Sequence, residues 1–134
     1  MSENDEFVKL KITAIQKILD VLRKALQMQT MANKFANEAM VRRVAMKYAI
    51  DGEDLVATIW AESNMDDRAI NKNANGTTDY GLCQFNDYWY KNAISPEDAL
   101  NDPEKAVNVM AQAWQSGRAN DWIAFRNKTY LKYL

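Results

Sequence analysis

Apolar residues recur at helical spacing through the first 28 residues of the chain. Two stripes lie side by side, one of them alternating spacings of four and three: Val8, Ile12, Ile15, Leu19, Leu22 and Leu26, then Ile18, Val21, Ala25 and Met28. This periodicity predicts an amphipathic helix with a wide apolar face that must be covered. Two interpretations are open: the face packs on the rest of the domain, or it forms a short coiled coil that oligomerises or docks the protein.

A second helix is predicted from about Met31 to Ala49, because apolar and basic residues separate onto two faces there. The predicted buried face contains Met40, Val41, Val44, Ala45 and Tyr48. The predicted solvent-exposed face contains Arg42, Arg43 and Lys47. We therefore expect N-terminal amphipathic helices over residues 1–44 and a further domain over residues 45–134, together forming one compact unit.

The helix predicted after Ile50 brings a carboxylate to its C-terminal end. Asp51 is a candidate N-cap, and two acids follow in the first turn, where the helix macrodipole favours them. Leu55, Ile59 and Glu62 then share one face at helical spacing. A lone Glu at a helix end is usually a solvated surface residue. The residues that follow Glu62 therefore decide how it is interpreted.

A polar segment with a strong turn signal follows Glu62. The pair Asn75-Gly76, with two Thr residues leading into a short apolar run, predicts a small β-hairpin that carries Asp79. A pair of carboxyl groups, here one on a helix end and one on a hairpin, is what most enzymes use to cleave a glycosidic bond. Amides hydrogen-bond hydroxyls, and aromatic faces pack on pyranose rings, so neighbouring residues suit a sugar groove. These residues are Asn71, Asn73, Gln84, Asn86, Trp89 and Tyr90.

The composition limits the chemistry that the chain can perform. It contains no His, which excludes zinc hydrolases with imidazole ligands, serine triads and Cys-His peptidases. The single cysteine, Cys83, has no base partner and is interpreted as a buried apolar residue. The acidic residues do not have the spacing of an EF-hand loop. We expect carboxylate chemistry with no metal and no cofactor.

The charge and the N-terminus bear on partners and location. The formal net charge of −1 gives the whole molecule no field that would indicate nucleic acid or an anionic membrane. Residues 1–50 nevertheless carry nine Lys or Arg and five Asp or Glu, a balance of +4, so this half is suited to an acidic surface. The start is acidic where a signal peptide is basic, and no stretch approaches the roughly 18 apolar residues of a membrane span. We expect synthesis in the cytoplasm without a signal peptide and no transmembrane segment.

Two runs of residues carry a specific resemblance. The first is Glu62-Ser63-Asn64-Met65, then Asn75-Gly76-Thr77-Thr78-Asp79-Tyr80-Gly81 with Gln84 and Asn86, and the second is Asn120-Asp121-Trp122-Ile123-Ala124-Phe125-Arg126-Asn127. Both resemble animal c-type lysozymes. The resemblance implies that Glu62 is the general acid and Asp79 the second carboxylate, and that Trp122 packs beside Glu62. It places the amide and aromatic residues named above in the substrate groove.

The run before Glu62 is similar to a different group. It reads Met46-Lys-Tyr-Ala-Ile-Asp-Gly-Glu-Asp-Leu-Val-Ala-Thr-Ile-Trp-Ala-Glu-Ser-Asn and resembles bacterial and phage lytic transglycosylases. The disulfide cysteines and the basic surface of secreted animal lysozymes are missing, so the chain is not expected to be such an enzyme. The similarity covers roughly residues 45 to 130, and residues 1–40 have no counterpart in either family.

These resemblances imply a lysozyme-like α+β fold, mostly α-helical, with a small β-hairpin at the active site and an added N-terminal helical segment. They imply a peptidoglycan muramidase that cleaves the β-1,4 bond between N-acetylmuramic acid and N-acetylglucosamine. Burial against Trp122 is expected to raise the pKa of Glu62, so that it stays protonated near neutral pH. Asp79 is expected to face the reacting carbon as nucleophile or electrostatic stabiliser.

Other functions and routes to the cell wall remain open at this stage. A lytic transglycosylase would use the same Glu62 and give 1,6-anhydro products. A protein with this fold is also able to bind glycan without cleaving it, or to serve as a structural virion component. We expect a phage enzyme that is virion-associated or acts in lysis, or a bacterial enzyme exported by a dedicated machine. The N-terminal helices are then the candidate contact with a virion or secretion-machine partner.

Overall fold

The computed structural model describes residues 2–134, which divide into two compact units, one ending at residue 35 and the other covering residues 36–134. One helix, α1, runs from Glu3–Lys47, so the predicted break between two N-terminal helices is wrong. Residues 27–33 change the position of the apolar face but contain no Gly or Pro, and a helix without such a residue has no local reason to end.

The unit of residues 36–134 combines helices with a small antiparallel sheet. Its strands are ordered β1-β2-β3 in the sheet. Short 3-10 turns follow near the C-terminus, at Ala119–Asp121 and Thr129–Tyr133. The remaining elements are α2 (Gly52–Ser63), β1 (Ile70–Lys72), β2 (Thr78–Tyr80), β3 (Phe85–Asn86), α3 (Pro96–Asn101), α4 (Pro103–Gln115) and α5 (Ile123–Arg126). This is the mostly helical α+β architecture that the sequence predicts.

The core of this unit is built from helix faces and the loop after the hairpin. Its largest fully buried side chains include Leu55 and Ile59 of α2, Leu82, and Met110 of α4. The end of α1 contributes the apolar face that the sequence predicts, with its basic residues exposed. The buried residues from α1 are Met40, Val41, Val44 and Ala45. This unit begins at Ala36, nine positions before residue 45, where the sequence places the start of the domain.

Helix α2 begins and ends at residues that hold Glu62 in its last turn. The predicted N-cap is confirmed, since the Asp51 carboxylate accepts the N–H groups of Glu53 and Asp54 at 3.0 Å each. At the other end, Asn64 adopts a left-handed conformation (φ 56°) and its N–H donates to the carbonyl of Trp60 at 2.9 Å. A left-handed residue stops helix propagation. Glu62 consequently lies two residues before the cap.

The predicted hairpin is confirmed, and a third strand extends it. Strand β1 pairs with β2 so that Asn71 lies opposite Asp79. The connecting turn includes Gly76 with a φ of 88°, a conformation that glycine adopts without steric cost. Strand β3 pairs with the other edge of β2 and places Asn86 opposite Asp79. The central strand thus presents the second candidate carboxylate between two amide side chains.

Gly81 follows β2 directly and lies against the backbone of helix α3. Its φ is 78°, its N–H donates to the carbonyl of Ala69 at 2.7 Å, and a Cβ built on it would overlap the carbonyl oxygen of Ala99. Both the conformation and the close approach require the absence of a side chain. The backbone of the hairpin is therefore held against α3 at this glycine.

The change Gly81→Ala is expected to lower the free energy of unfolding by more than about 2 kcal/mol, because strain and a backbone clash add. Gly76→Ala is the matched control: its φ is 88° but a Cβ there would meet nothing within 4 Å. Strain alone should cost the control about 1 kcal/mol. Urea unfolding followed by circular dichroism measures both. Equal losses in the free energy of unfolding for the two variants would show that the close approach to Ala99 adds nothing to the cost of a side chain at Gly81.

Candidate active site

A cleft of about 690 Å³ lies between the end of α2, the sheet and the C-terminal segment. Eight of the nine site residues predicted from sequence line it: Glu62, Asn73, Asp79, Gln84, Asn86, Trp89, Tyr90 and Trp122. Asn71 is the exception and is not part of the lining. Segments that are distant in sequence are thus brought to one groove, with both candidate carboxylates in its wall.

Glu62 is held in the cleft by a backbone donor. Its Oε1 accepts the N–H of Ala124 at 2.9 Å. This N–H lies in the first turn of α5, where backbone donors have no partner within the helix. Burial raises the pKa of Glu62, the negative charge of Asp79 raises it further, and the hydrogen bond from Ala124 opposes both. The net effect is a raised pKa, so Glu62 keeps its proton to a higher pH than an ordinary Glu.

Asp79 is positioned by the amide of Asn86. The Asn86 Nδ2 donates to Asp79 Oδ1 and to the Thr77 hydroxyl, each at 2.9 Å. The other end of the same amide, Oδ1, accepts the N–H groups of Tyr88 and Trp89 at 3.0 and 3.1 Å. One side chain therefore ties the second carboxylate to the aromatic turn. A displacement of Asn86 would move both.

Aromatic residues form one wall of the cleft. The rings of Phe85, Tyr90 and Trp122 contact one another with centroids 5.0 to 5.9 Å apart. The Trp122 indole N–H donates to the carbonyl of Cys83 at 2.8 Å, which satisfies its polar atom although the residue is buried. Trp89 is different, because 72% of it is exposed at the cleft. The buried rings provide a rigid wall, and Trp89 offers an open ring face.

The Cys83 thiol is fully buried, and burial, together with the nearby charge of Glu62, raises its pKa. A thiol held in its protonated form is a poor nucleophile. The structure therefore agrees with the interpretation of Cys83 as an apolar core residue.

Like Asn86, the predicted groove amides Gln84 and Asn71 are engaged within the protein. Gln84 is buried, its Nε2 donates to the carbonyls of Gly81 and Ala69 at 2.8 and 3.2 Å, and its Oε1 accepts from Asn71 at 2.7 Å. Asn71 thus lies one hydrogen bond behind the cleft. These hydrogen bonds hold the hairpin and the following loop in place. A contact of Asn71 or Gln84 with a sugar stays a prediction.

A charged cluster in the cleft was not predicted from the sequence. The Tyr90 hydroxyl donates to Asp121 Oδ2 at 2.7 Å, and Arg118 Nη2 pairs with the same oxygen at 2.8 Å. Burial and the Asp121 carboxylate raise the pKa of Tyr90, so its hydroxyl remains a donor. Arg126 also lines the cleft. Asp121 and Arg126 belong to the same lysozyme-like run as Trp122, so the sequence motif could have indicated both of them. Arg118 lies outside any motif and could not have been found in this way.

The part of the chain that the structure describes contains neither a cluster of metal ligands nor a membrane-spanning helix. No group of three or more His, Cys, Asp or Glu residues there is arranged to hold a metal ion. None of the helices within residues 2–134 has the length and apolar character needed to cross a membrane.

Comparisons with known proteins agree with this architecture. The family model described as "Transglycosylase SLT domain" matches residues 39–123. A lysozyme from Bombyx mori is 33% identical, over 54% of this chain and 60% of its own length, so the chain spans about three fifths of that relative. A crystal structure of lysozyme from Equus asinus superposes with a TM-score of 0.51 at 28% identity, covering 58% of this chain and 70% of that one. The lysozyme-like fold expected from the sequence is confirmed.

Proposed function

Because the chain belongs to the transglycosylase SLT domain family, we propose that it cleaves the glycan strands of peptidoglycan. The observation that carries the proposal is the environment of Glu62, a carboxyl with a raised pKa in a cleft that it shares with Asp79. A glycosidic oxygen must be protonated before it leaves, and an acid that stays protonated near neutral pH is suited to do so. The bond proposed is the β-1,4 linkage from N-acetylmuramic acid to N-acetylglucosamine.

The lining of the cleft supports a carbohydrate substrate. Amide side chains at Asn73 and Asn75 are able to exchange hydrogen bonds with sugar hydroxyl and acetamido groups. The exposed face of Trp89 suits the apolar face of a pyranose ring. Trp122 of the aromatic wall lines the same cleft as Glu62, and the burial of Glu62 strengthens electrostatic interactions at its carboxyl group.

In the proposed reaction Glu62 donates its proton to the glycosidic oxygen as the bond from C1 to that oxygen breaks. The bonding electrons leave with the oxygen, and the positive charge that develops at C1 is stabilised by the Asp79 carboxylate. A water molecule then adds to C1 and returns a proton to Glu62. The products are two shorter glycan strands, one of them with a new reducing end.

A second candidate is the lytic transglycosylase reaction, favoured by the description of the family model. Here the C6 hydroxyl of the same muramic acid attacks C1 instead of water. Glu62 first acts as acid and then accepts the proton of that hydroxyl, and no water is consumed. The product is a 1,6-anhydro end. Asp79 would carry less of the stabilisation, because the attacking hydroxyl is already held close to C1.

Mass spectrometry of digested peptidoglycan tests the proposal. The hydrolase should release fragments with reducing ends, whereas the transglycosylase should release anhydro ends that are lighter by one water. We expect reducing ends, because Asp79 and its partner Asn86 are both in place. Predominantly anhydro ends would replace the hydrolase assignment by the second candidate. A folded protein that releases no fragments from intact walls would overturn both and leave glycan binding or a structural virion role.

The route to the cell wall belongs to the same proposal. We propose delivery by a phage virion or by a secretion machine, with residues 1–44 as the contact, on the basis of the amphipathic character of that segment.

A further inference from the structure

A stretch within the first unit has a continuous apolar face with no cover. All its large apolar side chains are between 43% and 73% exposed. They extend over residues 7–28, about six turns of α1, which we call the amphipathic segment. Its large apolar residues are Phe7, Val8, Leu10, Ile12, Ile15, Ile18, Leu19, Val21, Leu22, Leu26 and Met28.

The polar and apolar residues of the amphipathic segment lie on separate faces of the helix, with Lys11 as the exception. At about 100° per residue the apolar side chains occupy an arc of roughly 200°. The segment contains five Lys or Arg and one Asp, a balance of +4. Four of the cations, Lys9, Lys17, Arg23 and Lys24, lie in the polar arc together with Asp20, and Lys11 lies within the apolar arc.

Two ways of covering the apolar face fit this pattern poorly. The segment does not cross a bilayer, since no helix of the described chain is long and apolar enough. A coiled coil with a second copy would use the narrow seam made by positions 8, 12, 15, 19, 22 and 26. The positions flanking that seam include Lys9, Lys11 and Arg23 and no acid, so a second copy would supply no opposite charge at the positions where coiled coils pair their charges.

We infer that the amphipathic segment binds the surface of a membrane rich in anionic lipid. A helix with a broad apolar face and a basic polar face lies in the plane of the interface, with its apolar side chains among the upper acyl chains. The cations of the polar arc then contact anionic headgroups. Lys11 is able to extend its ammonium group to the same level because its long alkyl stem tolerates apolar surroundings.

Vesicle sedimentation with the full chain tests the inference. Vesicles of phosphatidylcholine containing phosphatidylglycerol should pellet the protein, and vesicles of phosphatidylcholine alone should pellet far less of it. Added salt should weaken the binding, because it screens the attraction between cations and headgroups. Failure to bind the anionic vesicles, or binding that is indifferent to both lipid charge and salt, would overturn the inference.

Three double variants separate the contributions of the two faces. Ile15→Gln with Leu22→Gln removes apolar contacts without changing charge and should weaken partitioning at least about 100-fold. Lys17→Gln with Lys24→Gln should weaken it about 25-fold on anionic vesicles. Gln16→Ala with Gln27→Ala alters the polar arc without charge and is the matched control, expected to change it less than about twofold. Equal binding by the apolar-face variant and this control would contradict the inference.

Two further measurements test whether the variants keep their helix and whether the protein is a dimer. All variants should retain the far-ultraviolet circular dichroism of the wild type, since Gln and Ala are good helix formers. Sedimentation equilibrium measures whether a second copy of the chain covers the apolar face instead. The inference would be overturned if the wild type were a dimer that Ile15→Gln with Leu22→Gln dissociates and if it bound no vesicles. None of these measurements uses wall cleavage, so their outcome is independent of the proposed enzymatic function.

Discussion

The variant Glu62→Gln is expected to lose peptidoglycan cleavage by about 10³-fold or more in kcat while keeping its fold. The amide has the shape of the carboxyl and its oxygen is still able to accept the Ala124 N–H, but it has no proton to give to the leaving oxygen. Release of soluble fragments from purified walls measures the loss. Glu97→Gln, an exposed acid outside the cleft, is the control and should retain wild-type activity.

The pH dependence of the wild type and of Glu62→Gln provides the accompanying test. Because the native pKa of Glu62 is raised, the native state holds this proton more tightly than the unfolded chain. The stabilisation from this group is complete below the unfolded pKa and is lost as pH rises through the native pKa. Glu62→Gln should therefore be at least as stable as wild type at neutral pH. Wild-type activity should fall over the same rise in pH. A variant that cleaves walls within a few-fold of wild type would exclude Glu62 as the acid.

The variant Asp79→Asn is expected to lower kcat by about 10²-fold to 10³-fold if the enzyme is a hydrolase. Asn keeps the shape and is still able to accept from the Asn86 amide, but it carries no charge to stabilise the developing cation at C1. A transglycosylase should lose far less. Asp67→Asn, a change of the same kind outside the cleft lining, serves as the control in the same fragment-release assay.

Asp79→Asn should also change the titration of Glu62. The charge of Asp79 contributes to the raised pKa of Glu62, so removing it should lower that pKa and move the loss of activity to lower pH. Carbon NMR of the Glu62 carboxyl reads the same shift without relying on turnover. An unchanged Glu62 titration in a folded Asp79→Asn variant would show that the two carboxylates are not electrostatically coupled.

Sequence alone determined the features that depend on short-range rules. The cap at Asp51, the turn at Asn75-Gly76 and the apolar periodicity of α2 each arise from residues a few positions apart, and they sufficed to place Glu62 at a helix end and Asp79 on a hairpin. The same rules misplace a helix end near residue 30, because the apolar face shifts there while the helical backbone continues without a break.

Only the tertiary structure decided how the two carboxylates are held. The Ala124 N–H reaches Glu62 across 62 positions, and β3 brings Asn86 beside Asp79 through a strand register that no local motif specifies. Tyr90 likewise meets Asp121 from 31 positions away. Such contacts depend on how buried faces pack and on which strands pair. The sequence therefore identifies the candidate catalytic residues, whereas their protonation and orientation arise from packing between distant segments.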